Sequence, residues 1–93
     1  MSTLTQAEIG AFLTSDPGWK LDSGRLVREW SFSSFIEAMG FVNKVAELAE
    51  SAGHHPDIDI RYNKVLLSLV SHDAGGITKR DTKMAGRLSD VFG

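Results

Sequence analysis

One stretch limits the possible folds more than any other. Asp57-Ile58-Asp59-Ile60-Arg61-Tyr62 alternates strictly between polar and apolar, directly after Pro56. Residues two apart on a strand share a face, so Ile58, Ile60 and Tyr62 point the same way. Asn63-Lys64 reads as a connecting turn or a bulge. Residues 65–71 read as a second strand, with Val65, Leu67 and Leu69 on one side and Leu66, Ser68 and Val70 on the other. Apolar character on both faces suits a central strand, or an edge that another chain covers. A short turn between the two runs brings the start of the first beside the end of the second. His54 and His55 then lie near His72, the only other histidine in the chain.

The flanking segments complete a pattern. Thr3 or Thr5 can cap a first helix, with Glu8 completing a capping-box pattern from Thr5; its apolar face is Ile9, Phe12 and Leu13, with Leu4 as a staple. Asp16-Pro17-Gly18 ends it. Residues 19–21 and 25–32 alternate around an Asp22-Ser23-Gly24 hairpin turn. Ser33 or Ser34 caps a second, long helix, with Glu37 completing a Ser34-x-x-Glu box; it runs to about Ala52, where Gly53 is placed to end it. Phe35, Met39, Val42, Val45, Ala46 and Ala49 form its stripe, and Phe41 and Leu48 lie off it. Those two make either a wide core face or a contact with another subunit. Ala74-Gly75-Gly76 breaks the last strand. Thr78 caps a final helix with Asp81 at its third position and Ala85, Leu88, Val91 and Phe92 as buried candidates. The order αββαββα predicts a single α+β domain over 1–93: a two-layer sandwich with a four-stranded antiparallel sheet and three helices on one face.

Composition narrows the function classes. With 93 residues, a net charge of −2 and no basic stripe, the chain gives little support to direct nucleic-acid binding. The absence of cysteine removes disulfides, thiolate nucleophiles and Cys-based zinc sites. The first residues lack the charged and apolar regions of a signal peptide, and no apolar run reaches the ~18 residues of a membrane span. The expectation is a cytoplasmic protein with no membrane partner.

The chemistry then rests on the histidines, whose ordinary pKa of about 6.5 suits proton transfer near neutrality. Pro56 pushes His55 toward an extended backbone, so His54 and His55 point apart and play different parts. Glu50 is placed to hold an imidazole; equally, it suits a solvated helix surface. Asp81 suits the cap of Thr78, Tyr62 a sheet position, and Asp57 and Asp59 an exposed strand face. Three histidines also raise the question of zinc, but adjacent histidines converge on one ion only with a special backbone, and no His-x-x-x-His pattern is present. No metal and no organic cofactor are expected.

Glu50-x-x-x-His54-His55-Pro56, then five residues to Tyr62, nine to His72 and eight to Asp81, resembles the signature of the pterin-4a-carbinolamine dehydratases. Tyr62-Asn63-Lys64-Val65, Ser71-His72-Asp73-Ala74-Gly75-Gly76 and Gly18-Trp19 are similar too, so the likeness covers nearly the whole chain. Val70-Ser71 departs from the family's usual residues and bears on pocket lining, and Gly53 departs from the usual Asp or Asn and removes side-chain contacts there. The resemblance implies loss of water from 4a-hydroxytetrahydropterin to give quinonoid dihydropterin, which recycles the cofactor of aromatic amino-acid hydroxylases. It implies His54, His55 and His72 as acid/base groups, with Asp81 holding one imidazole and Glu50 supporting the pair. Backbone groups of His54 to Pro56 and of Ser71, His72, Asp73 and Ala74 would bind the pterin edge. It further implies a homodimer or homotetramer. Two other readings accompany it: a non-catalytic dimerisation module serving a transcription factor, and activity on a related pterin such as a molybdenum-cofactor precursor.

Overall fold

The structure is a computed structural model and describes residues 2–93. Its elements follow the expected order: α1 (Gln6–Ser15), β1 (Lys20–Asp22), β2 (Arg25–Ser31), α2 (Phe35–Ala52), β3 (Asp57–Arg61), β4 (Lys64–Leu69) and α3 (Lys79–Phe92). The sheet is antiparallel with strand order β1-β2-β4-β3. β4 is therefore central, as its two apolar faces suggest, and β1 and β3 are the edges.

Register decides which residues form the core. Leu26 pairs with Leu69, Trp30 with Val65, and Ile58 and Ile60 with Leu67 and Val65. Partners across a ladder share a face, so these side chains all point to the helical side. Leu26, Val65, Leu67 and Leu69 are wholly buried there against Ala38, Phe41, Val45 and Ala49 of α2 and Met84, Ala85 and Leu88 of α3. Each buried aliphatic side chain contributes about 1.5–3 kcal/mol. α1 is the most loosely held helix: Ile9, Phe12 and Leu13 pack on the core but none is fully buried.

Four expectations need correction. The buried stripe of α2 is Ala38, Phe41, Val45 and Ala49, so Phe41 is core, whereas Phe35 and Ala46 are exposed. Phe41 meets Trp30, Phe32 and Phe92 at ring centroid distances of 5.0, 5.1 and 4.8 Å. These aromatics on two other elements draw the helix round, a partner effect that spacing along α2 alone does not contain. Val91, expected in the core, is 56% exposed, whereas Met84 is buried. The β3–β4 turn is Tyr62-Asn63, one residue earlier than read, because Arg61 pairs with Lys64. Tyr62 sits at φ 53° and is 69% exposed, outside the sheet. Asn63 secures the turn by donating its side-chain amide to the Phe32 carbonyl at 2.7 Å.

Candidate active site

The C-terminus of α2 and the N-terminus of α3 deliver the site. Gly53 ends α2 in the left-handed region at φ 65°, and its N–H donates to the Ala49 and Glu50 carbonyls. That turn of chain leaves His54 facing α3. Pro56 is buried and immediately precedes β3. On the other side, Thr78 caps α3 through a full capping box with Asp81. The cap therefore fixes the carboxyl of Asp81 at a position where it also meets His54.

Asp81 is wholly buried and fully engaged. Its Oδ2 accepts from Ser71 Oγ at 2.8 Å and from the Thr78 N–H at 2.9 Å. Its Oδ1 lies 2.6 Å from His54 Nε2. Burying a carboxyl without donors is costly, and here each oxygen has one or more. Donor bookkeeping continues outward. The Ser71 hydroxyl proton goes to Asp81, so Thr78 Oγ1 donates to Ser71 Oγ at 2.9 Å and in turn accepts from the Arg80 N–H.

A carboxylate can only accept, so its contact with His54 selects the tautomer that carries the proton on Nε2. Nδ1 is then the nitrogen free to exchange a proton. The His54 side chain is 13% exposed, sheltered but reachable. It lines a hollow of about 340 Å³ with Ser51, Ala52, Arg80, Lys83, Met84 and Arg87.

The other sequence-derived residues lie around this centre. His55 Nε2 is 2.5 Å from Glu50 Oε2, and both side chains are well exposed. The two adjacent histidines thus have separate carboxylate partners, one buried and one in solvent. His72 is exposed and lines a different hollow, of about 320 Å³, with Ser23, Gly24, Arg25, Val70, Gly75 and Gly76. The three imidazoles do not share one cavity. They lie at the same end of the molecule all the same, because Ser71, the neighbour of His72, is one hydrogen bond from Asp81 and two from His54. The expected use of Ser71 backbone groups for ligand binding needs revision. Its N–H donates to the Gly76 carbonyl, and its own carbonyl accepts from Ala74 and Gly75. The 71–76 turn consumes these groups internally.

Asp73 accepts from Arg80 at 2.6 Å. That hydrogen bond, helped by the guanidinium charge, holds the Asp73 carboxyl below its ordinary range and raises Arg80 above its own. Arg80, Lys83 and Arg87 are the site residues that sequence reasoning passed over. Their spacing of three and four along α3 is the signal that could have found them, but basic residues at that spacing ordinarily mark a solvated face.

Comparison with known proteins shows which family the chain resembles. The family model described as Pterin 4 alpha carbinolamine dehydratase matches residues 2–91. A protein of Acidobacterium capsulatum, provisionally named a pterin-4-alpha-carbinolamine dehydratase, is 57% identical over 99% of this chain and 100% of its own. One from Koribacter versatilis with the same provisional name is 54% identical over 96% and 95%. Among solved structures, a transcriptional coactivator/pterin dehydratase from Brucella melitensis superposes with a TM-score of 0.91 at 32% identity, covering 99% of this chain and 100% of that one.

Proposed function

Because the chain belongs to the pterin 4 alpha carbinolamine dehydratase family, we propose that it dehydrates a 4a-hydroxytetrahydropterin through the His54–Asp81 pair. The observation that carries this reading is an imidazole at a hollow wall, held through Nε2 by a buried and saturated carboxyl. The reaction needs no electron donor. The 4a hydroxyl leaves as water with one added proton, and a ring N–H surrenders one, so an acid and a base suffice. His54 Nδ1 serves one of these transfers. His55, steadied by Glu50, serves the complementary transfer, and His72, across the Ser71 turn in its own hollow, meets the pterin rim. Asp81 is a positioning residue that keeps Nδ1 free. A positioned acid or base contributes typically 10²–10⁴-fold.

The physiological role that follows is recycling of the pterin used by an aromatic amino-acid hydroxylase. The direct test is stopped-flow dehydration of freshly generated carbinolamine. Wild type should exceed the spontaneous rate, and His54→Ala should lower kcat about 10²-fold or more. His55→Ala and His72→Ala should each lower the rate by less. Spontaneous rates with wild-type protein would end the proposal.

A second reading concerns partners. Phe35 and Ile36 are 46% and 77% exposed at the start of α2, and the Brucella relative carries a coactivator name. A protein-binding role for this face, alongside catalysis or in place of it, fits an exposed apolar pair. Ile36→Lys should abolish capture of such a partner while dehydration continues.

A further inference from the structure

We propose that the hollow beside His54 selects a reduced pterin whose ring substituent ends in an anion, a phosphate ester or a carboxylate, bound by Lys83 and Arg87. The proposal rests on the dehydratase reading above and specifies its substrate class. Every charged side chain that lines this hollow is basic apart from the imidazole: Arg80, Lys83 and Arg87. The chain as a whole is acidic, at −2, so the clustering is local.

The three residues sit at intervals of three and four, which stacks them on one face of α3. Like charges at that spacing repel, and an acidic neighbour ordinarily relieves the repulsion. Among the described residues, only Arg80 has such a partner, Asp73. Lys83 and Arg87 enter no ion pair. Arg80 is committed through a terminal nitrogen to Asp73, and its Nε is shut off inside the protein, so the free charges at this hollow are those of Lys83 and Arg87.

Geometry sorts the two cations by reach. At 1.5 Å per residue, Lys83 lies about 3 Å along the helix from the level of Asp81 and Arg87 about 9 Å. With the ring beside His54, a short phosphate ester meets Lys83, and a longer arm ending in a carboxylate extends to Arg87. A neutral polyol substituent would use neither charge.

The test compares kcat/KM for carbinolamines with a neutral dihydroxypropyl arm, a phosphate ester arm and a glutamyl arm. An exposed ion pair is worth about 1.4-fold to fivefold, so wild type should favour an anionic arm over the neutral one by a factor in that range. Added salt should shrink the ratio. Lys83→Gln should erase the preference for the phosphate, Arg87→Gln the preference for the glutamyl arm, and Lys83→Arg with Arg87→Lys should keep both. Equal kcat/KM for neutral and anionic arms in wild type would overturn the proposal and leave the dehydratase reading standing. If no carbinolamine is dehydrated, that reading fails instead, and fluorescence titration with 6-hydroxymethylpterin, its phosphate and a pteroylglutamate decides. Tighter binding of either anion, lost in the Gln variants, supports the proposal; equal binding overturns it.

Discussion

At the scale of single residues, the site turns on which proton sits where. Asp81 faces donors on both oxygens, and Asn in its place must turn an amide NH2 toward one of them. Ser71 and Thr78 N–H cannot accept it easily, but His54 can, by moving its own proton to Nδ1. Asp81→Asn should therefore cost about 1 kcal/mol in urea unfolding while lowering kcat about 10²-fold. Imidazole nitrogen NMR should show the switched tautomer; an unchanged tautomer with full activity would refute the positioning role. Ser71→Ala tests the opposite balance. It removes one donor from Asp81 and the acceptor of Thr78 Oγ1, and should cost roughly 1–2 kcal/mol of stability. Much of this was legible beforehand: Thr78-x-x-Asp81 is a capping box on sight. That one carboxyl both caps a helix and holds an imidazole was suggested by family likeness, since no local pattern places residues 54 and 81 together. Asp73 makes a pH-dependent case. Its carboxyl is held low, chiefly by the hydrogen bond from Arg80. A depressed folded value means that the contribution is present above the unfolded pKa and is lost as pH falls through the folded one. Carboxyl NMR should find Asp73 titrating below an Asp in an unstructured peptide, and Arg80→Gln should return it to that range.

At the scale of elements, the helix ends matter more than the helix faces. All three starts were readable, because Thr5, Ser34 and Thr78 each accept from a backbone N–H in the first turn. The face of α2 was not. Its apolar residues spread over a wide arc opposite the polar face of Glu37, Lys44, Glu47 and Ser51, so spacing permits several stripes, and the choice falls to Trp30, Phe32 and Phe92 on other elements. The separation of His72 from the His54 hollow was equally hidden, because it follows from how the 71–76 turn folds on the Ser71 carbonyl. The end of α2 yields a prediction. Gly53 has a positive φ, and a Cβ added there would meet nothing within 4 Å. Gly53→Ala should therefore cost only the backbone term, about 1 kcal/mol, with no steric clash. Because His54 follows directly, KM or kcat should suffer more than that loss alone produces when conditions keep the variant fully folded. Activity equal to wild type would show that the left-handed turn serves the helix and not the site.

At the scale of the whole molecule, the inner face of the sheet is wider than the helices that cover it. Ile58 and Ile60 pair with the buried Leu67 and Val65, yet each is 37% exposed because β3 is an edge with nothing beyond it. Leu21 on the opposite edge is 43% exposed for the same reason, although its partner Leu26 is buried. A domain of this size buries only about 60–65% of its unfolded surface, so uncovered apolar area at the rim is a poor use of scarce core. An open strand also leaves a row of N–H and C=O groups unpaired by protein. β3 bonded to β3 of a second copy, about a two-fold axis, would continue the sheet and cover the isoleucines of both. The β1 edge is only three residues long and offers less. The expected outcome is a wild-type protein that sediments as a dimer or a multiple of one. Ile60→Lys should shift it to monomer and lower Tm at low protein concentration, where mass action no longer supports the fold. Because Ile60 lies on the edge strand and does not line the hollow beside His54, catalysis per folded subunit should persist in that variant; a monomeric wild type with the same Tm at every concentration would rule the edge out.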